Sequence, residues 1–136
     1  MEIVRRQYAA FAARDWAALA DLWHPNVEYE TLKTAPGVSG CYHGVQEITD
    51  FFDSWSGLYA EFRVEATEIV DAGDQVVVVE QHSARGLKGS EAKAWVRDSF
   101  ACLISFRDGK IWRIEEFPTL EQTLEATGTP SRAHPR

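Results

Sequence analysis

The chain has 136 residues, the length of one domain, and 45% of them are hydrophobic, so it can build a core without disulfide or metal staples. A formal net charge of −7 with scattered basic residues, of which only Arg5 and Arg6 stand together, argues against nucleic acid and against an anionic membrane surface as partners. Cys41 and Cys102 are too few and too far apart for a metal or disulfide signature, and they read as two reduced, buried thiols.

The N-terminal segment holds Val4, Tyr8 and Phe11 at helical spacing, with Arg5, Arg6 and Arg14 elsewhere on the wheel, which predicts an amphipathic helix from about Glu2 to Ala13. It lacks the basic start, apolar run and cleavage site of a secretory signal. No stretch nears the ~18 apolar residues of a membrane span, so the expected location is the cytoplasm. Asp15 is a good N-cap for a short second helix carrying Trp16, Leu19, Ala20 and Trp23, and His24-Pro25-Asn26 breaks it. Val27 to Glu30 alternates as a short strand does. Residues 31 to 44, with Pro36, Gly37, Gly40 and Gly44, read as a loop. A third helix opens near Val45 with Ile48, Phe51, Phe52 and Trp55 as its buried stripe, and Gly57 ends it.

The rest is mostly strand. Phe62, Val64 and Ala66 alternate with charged residues, Ala72-Gly73-Asp74 is a turn, and a β-branched run from Val76 continues to about Arg85. Gly86 to Ser90 is a second turn. Ala92 to Phe106 is long enough to need a bend or bulge, and Asp108-Gly109 is the signal of a two-residue hairpin leading into a last strand, Ile111 to Phe117. Thr119-Leu120-Glu121-Gln122 fits a capping box for a short helix to about Ala126, stopped by Gly128, which closes a single domain over residues 1–128. Residues 129–136 are polar and Pro-containing, the composition of a disordered tail. Helices, one strand, a helix and then a meander make an α+β protein, and long meander strands that share a core must curl over the helices.

The stretches IVRRQYAAFAARDWAALADLWHPNVEYE, YHGVQEITDFF, FRDGKIWRIEEF and LEQTLEATG together resemble the SnoaL-like branch of the nuclear transport factor 2-like superfamily, which includes ketosteroid isomerases, polyketide cyclases and limonene epoxide hydrolase. The resemblance runs to Gly128. It implies a cone-shaped, cystatin-like α+β barrel, with a curved, mostly antiparallel sheet packed on N-terminal helices. It also implies a pocket between the concave face and the helices, and a homodimer through the outer sheet face. Because the fold hosts unrelated reactions, chemistry has to come from individual residues.

From Ala94 to Phe106 the even positions are apolar except for Asp98, which makes theirs the concave face unless a bulge switches parity. Compared with ketosteroid isomerases, the inward residues of the last strand are Ile114, Glu116 and Pro118, and those of the strand from Val76 are Val76, Val78, Glu80, His82 and Ala84. A buried Glu must be paired, hydrated or protonated, and a Glu–His pair can move one proton near neutral pH. The candidate catalytic groups are therefore Glu80 or His82 as base, with Glu116 or Asp98 as partner or acid. Trp23, Phe51, Trp55 and Phe100 are core residues whose excess points to a cavity. With Tyr29, Cys102 and Ile114 they are the candidate substrate-binding set.

The same comparison puts Tyr29 where those isomerases hold a catalytic aspartate and Cys102 where they hold an oxyanion-stabilising aspartic acid. Tyr8 falls one residue from their site tyrosine. These departures argue against steroid isomerisation. Glu80 and His82 on the outer face, and Glu116 in a salt bridge with Arg97 or Arg113, are the structural alternatives. Glu80, His82 and Glu116 carry no metal-ligand spacing, and no phosphate loop or HExxH is present, so neither a metal nor a cofactor is expected. The sequence thus offers a cofactor-free isomerase, cyclase, dehydratase or epoxide hydrolase acting on a small hydrophobic molecule. Its rivals are a non-catalytic pocket in which Glu and His pair with each other, and an association module with a filled interior.

Overall fold

The structure, a computed structural model, describes residues 2–31, 40–87, 89 and 94–127. The helix α1 (Glu2–Ala12) turns Val4, Gln7 and Ala10 fully inward. It ends where Arg14 adopts a positive φ of 53° and the amide of Asp15 bonds back to the carbonyl of Ala10 at 2.9 Å. Asp15 then caps α2 (Trp16–Leu22), its carboxylate accepting from the Ala18 amide at 3.0 Å. Trp23, expected on that helix, is instead the first residue of β1 (Trp23–Glu30), with φ −100° and ψ 141°. Pro25 accounts for this: it lacks a donor, and it pushes the residue before it into extended conformation.

The loop expected over residues 31 to 44 ends in a strand, β2 (Cys41–His43), paired antiparallel with β1 through Glu28–His43 and Glu30–Cys41. Cys41, expected to be buried, is exposed on this edge strand, whereas Cys102 is buried. Residues 32–39 of that loop lie outside the described residues, as do the turn residues 88 and 90 and the tail from 128. The helix α3 (Val45–Ser56) buries Ile48 and Phe52 and stops at Gly57. Four long strands follow: β3 (Tyr59–Asp71), β4 (Gln75–Leu87), β5 (Val96–Arg107) and β6 (Lys110–Phe117). The β5–β6 turn has Asp108 at φ 54° and Gly109 at φ 77°, the positive pair that the Asp-Gly signal predicts. Thr119 caps α4 (Leu120–Ala126), accepting from the Gln122 amide at 3.1 Å.

The strands form one sheet in the order β2-β1-β6-β5-β4-β3, antiparallel throughout except for the parallel pair β1–β6. The sheet curves around α1, α2 and α3, and Val27, Val78, Cys102 and Ile104 pack there against Val4, Leu19, Ile48 and Phe52. On the opposite face Val77, Ala101 and Leu103 are also buried, where α4 lies across β4, β5 and β6. Each large aliphatic or aromatic side chain so enclosed stabilises the fold by about 1.5–3 kcal/mol.

Parity in β6 differs from the expected alternation. Its register steps by two residues between the partners of Ser105 and Phe106, so Trp112 is bulged out. Ile111 and Ile114 both enter the core, while Trp112 turns outward with the Arg107 guanidinium 3.9 Å from its ring centroid. Among the described residues no helix is long and apolar enough to cross a membrane.

Candidate functional site

In β4 the period of two carries Val76, Val78, Glu80, His82 and Ala84 to one face, and all five are buried. Glu80 is 6% exposed and His82 8%, so the carboxylate and the imidazole must find partners inside. They find each other first: His82 Nε2 is 2.9 Å from Glu80 Oε1. The Tyr8 hydroxyl, delivered by α1, donates to Glu80 Oε2. A second phenol–carboxylate pair stands beside this one, with Tyr29 of β1 donating to Glu116 of β6. The Cys102 thiol, fully buried, lies cross-strand from Glu116 in the β5–β6 register.

Burial shapes the acidity of these groups. It pushes the Tyr8 and Tyr29 phenols well above their ordinary value, and the negative charges of Glu80 and Glu116 push them further. Burial and then the same two carboxylates raise the Cys102 thiol in turn. Both phenols and the thiol therefore remain protonated donors at neutral pH.

These groups adjoin a cavity of ≈380 Å³ including its mouth, of which ≈20 Å³ is open to the centre of a water molecule. Tyr8, Tyr29, Glu80 and His82 are its polar wall, together with Gln7, whose Oε1 accepts from Trp23 Nε1 at 2.8 Å. Phe11, Trp23, Phe52, Trp55, Val64 and Ile114 complete the lining. The His82 ring is itself boxed by aromatics, with centroids 4.5 Å from Phe100, 5.3 Å from Trp55 and 5.8 Å from Phe62.

Of the residues singled out in the sequence, the structure brings Glu80, His82, Tyr29, Trp23, Trp55 and Ile114 to the cavity, with Glu116, Cys102 and Phe100 directly behind that wall. Phe51 stands one layer out, stacked on Trp55 at 6.0 Å and on Tyr42 at 4.4 Å. Asp98 does not join them. It lies opposite His82 in the β4–β5 register but at the exposed end of β5, where its carboxylate accepts from the Ser99 amide at 3.0 Å. Pro118 is likewise exposed. Arg113 turns to Glu30 at 3.1 Å and to Glu115 at 3.4 Å, while Glu116 takes the Tyr29 hydroxyl. Sequence reasoning gave Tyr8 no role and did not single out Gln7; the buried stripe of α1 was the signal that marked Tyr8.

A family model for the SnoaL-like domain matches residues 4–114. The protein belongs to that family. No curated protein matches this SnoaL-like chain. Solved structures share its fold. A protein of ketosteroid isomerase-like fold from Catenulispora acidiphila, in complex with trimethylamine, is 21% identical with a TM-score of 0.72, each chain being covered to 98%. TerC, co-crystallised with polyporic acid, is 24% identical with a TM-score of 0.73, over 94% of this chain and 97% of that one. A candidate polyketide cyclase from Sinorhizobium meliloti is 22% identical with a TM-score of 0.68, over 86% and 94%.

Proposed function

We propose that this SnoaL-like domain is a cofactor-independent enzyme that moves a proton on a small, largely apolar molecule held between the sheet and the N-terminal helices. The chain Tyr8–Glu80–His82 on the cavity wall carries this reading. Glu80 fixes the Nε2–H tautomer of His82, so the lone pair is on Nδ1 and the imidazole is the base. Tyr8 holds Glu80 in place from the other side. Tyr29 donates its one proton to Glu116, so it holds that carboxylate in place and presents only an acceptor oxygen to the cavity. Asp98 has no part in it. The ligands named for the trimethylamine complex and for TerC, and the cyclase assignment of the Sinorhizobium protein, support a small-molecule site in this fold.

The test is solvent-deuterium exchange into a panel of small ketones and phenolic compounds, followed by NMR. At least one compound should exchange faster with the protein present, and His82→Gln should slow that exchange by about 100-fold or more. Exchange unaltered in His82→Gln would remove His82 as base.

The Glu80–His82 bond equally supports a second reading, a binding pocket without chemistry, in which the two groups exist to neutralise each other. Saturable ligand binding with no exchange in any compound would select it. The homodimer implied by the resemblance accompanies the proposal. Sedimentation equilibrium should return twice the chain mass, and a monomer at all concentrations would reject the dimer alone.

A further inference from the structure

The cavity wall is more aromatic and more negative than proton transfer on a neutral substrate requires. Tyr8, Phe11, Trp23, Tyr29, Phe52 and Trp55 all line it. Several meet Phe52 edge to face, at 74° and 4.9 Å for Phe11, 90° and 5.1 Å for Tyr29, and 61° and 6.2 Å for Trp23. In such contacts the edge of one ring meets the face of another, which fixes the rings against one another around the hollow. Glu80 adds a carboxylate, and Glu116 stands behind Tyr29. No Lys or Arg is among the described lining residues, and His82 is the sole basic side chain there. Glu80 and Glu116 are also the carboxylates whose charge raises both buried phenols and the thiol.

A hollow of this kind discriminates by charge. An anion meets the Glu80 carboxylate, with Glu116 behind Tyr29, among aromatic rings and with no guanidinium or ammonium to offset the charge. A neutral apolar molecule gains only the area it removes from water. An organic cation gains that area, the attraction of the ring faces and the Coulomb attraction of Glu80 in a setting that screens it poorly. Size limits the occupant to a compact head group, because only ≈20 Å³ of the hollow admits the centre of a water molecule.

We propose that this cavity selects small alkylammonium ligands, packing their methyl groups against the aromatic rings and setting their charge beside Glu80. The inference rests on the reading of the cavity as a ligand site and names the class of molecule that enters it.

Calorimetric titration of the full chain with tetramethylammonium and, separately, with tert-butyl alcohol, a neutral molecule of similar shape, tests the proposal. The cation should bind at least about tenfold more tightly. Glu80→Gln, close in shape and still able to accept from Tyr8, should reduce that preference to within about threefold. Should Glu80→Gln fail to fold, Trp55→Leu provides the second arm and should weaken the cation more than the alcohol. Equal or tighter binding of the alcohol would overturn charge selection while leaving the ligand site standing. Binding of neither would overturn the inference too, and the deuterium-exchange assay, which does not depend on ligand charge, decides separately whether the cavity is a reaction site.

Discussion

A buried carboxylate is tolerated in proportion to the donors that reach it, and Glu80 has two: the Tyr8 hydroxyl and His82 Nε2. Tyr8→Phe removes one without removing the ring. The variant should lose about 1–3 kcal/mol in urea denaturation, toward the lower end where a water in the neighbouring ≈20 Å³ takes over the vacant acceptor. A loss below about 0.5 kcal/mol would mean that the phenol does not support Glu80. Glu80 and His82 were legible in the sequence because a strand repeats every two residues, so one apolar face announces its polar exceptions. Tyr8 was legible as a residue of the helix face turned to the core but not as a partner, since it and Glu80 are 72 positions apart and no local pattern spans that distance. Asp98 exposes the limit of parity. Alternation says which face a side chain takes, not how far along the strand that face stays covered, and β5 is exposed from Val96 to Ser99 before Phe100 enters the core.

Elements whose ends are set by neighbouring residues were read nearly to the residue. Asp15, Asp108-Gly109 and Thr119 act through atoms within three positions of themselves. Two features set by pairing were not. β2 has three residues, too few to show a period, and exists because β1 offers it an edge. The bulge at Trp112 fits the β5–β6 register to a core that takes Ile111 as well as Ile114, and this depends on both strands at once. The cap on α4 has a measurable consequence. That helix covers Val77, Ala101 and Leu103 on the outer face, and its seven residues are too few to hold a helix without tertiary support. Thr119→Ala should destabilise the protein by about 1 kcal/mol and speed hydrogen exchange in α4 first. Uniform loss of protection across β4 and β5 instead would mean that α4 does not open as a separate unit.

At the scale of the whole molecule, the curved sheet follows from strand length and the segregation of helices from strands, both plain in the sequence. What the sequence could not convey is that closing the sheet gathers acidic protons in one dry place. Tyr29 and Cys102 are 5% and 0% exposed, and folding raises both above their ordinary values of 10.0 and 9.0. The sign is fixed by proton count: above those values the unfolded chain releases protons that the folded chain keeps, so stability falls as pH rises. The loss should begin near pH 9 with the thiol and steepen near pH 10 with the phenols of Tyr29 and Tyr8, each group contributing up to about 1.4 kcal/mol per pH unit. Urea midpoints measured between about pH 8 and pH 11 should show this decline. Tyr29→Phe should flatten it above pH 10 and Cys102→Ala between pH 9 and pH 10, whatever either variant does at neutral pH. Slopes in the two variants equal to that of the parent would mean that these protons leave the folded protein as readily as the unfolded chain. The polar cluster would then be open to water, and the dry setting on which both the proton transfer and the selection of cations depend would be lost.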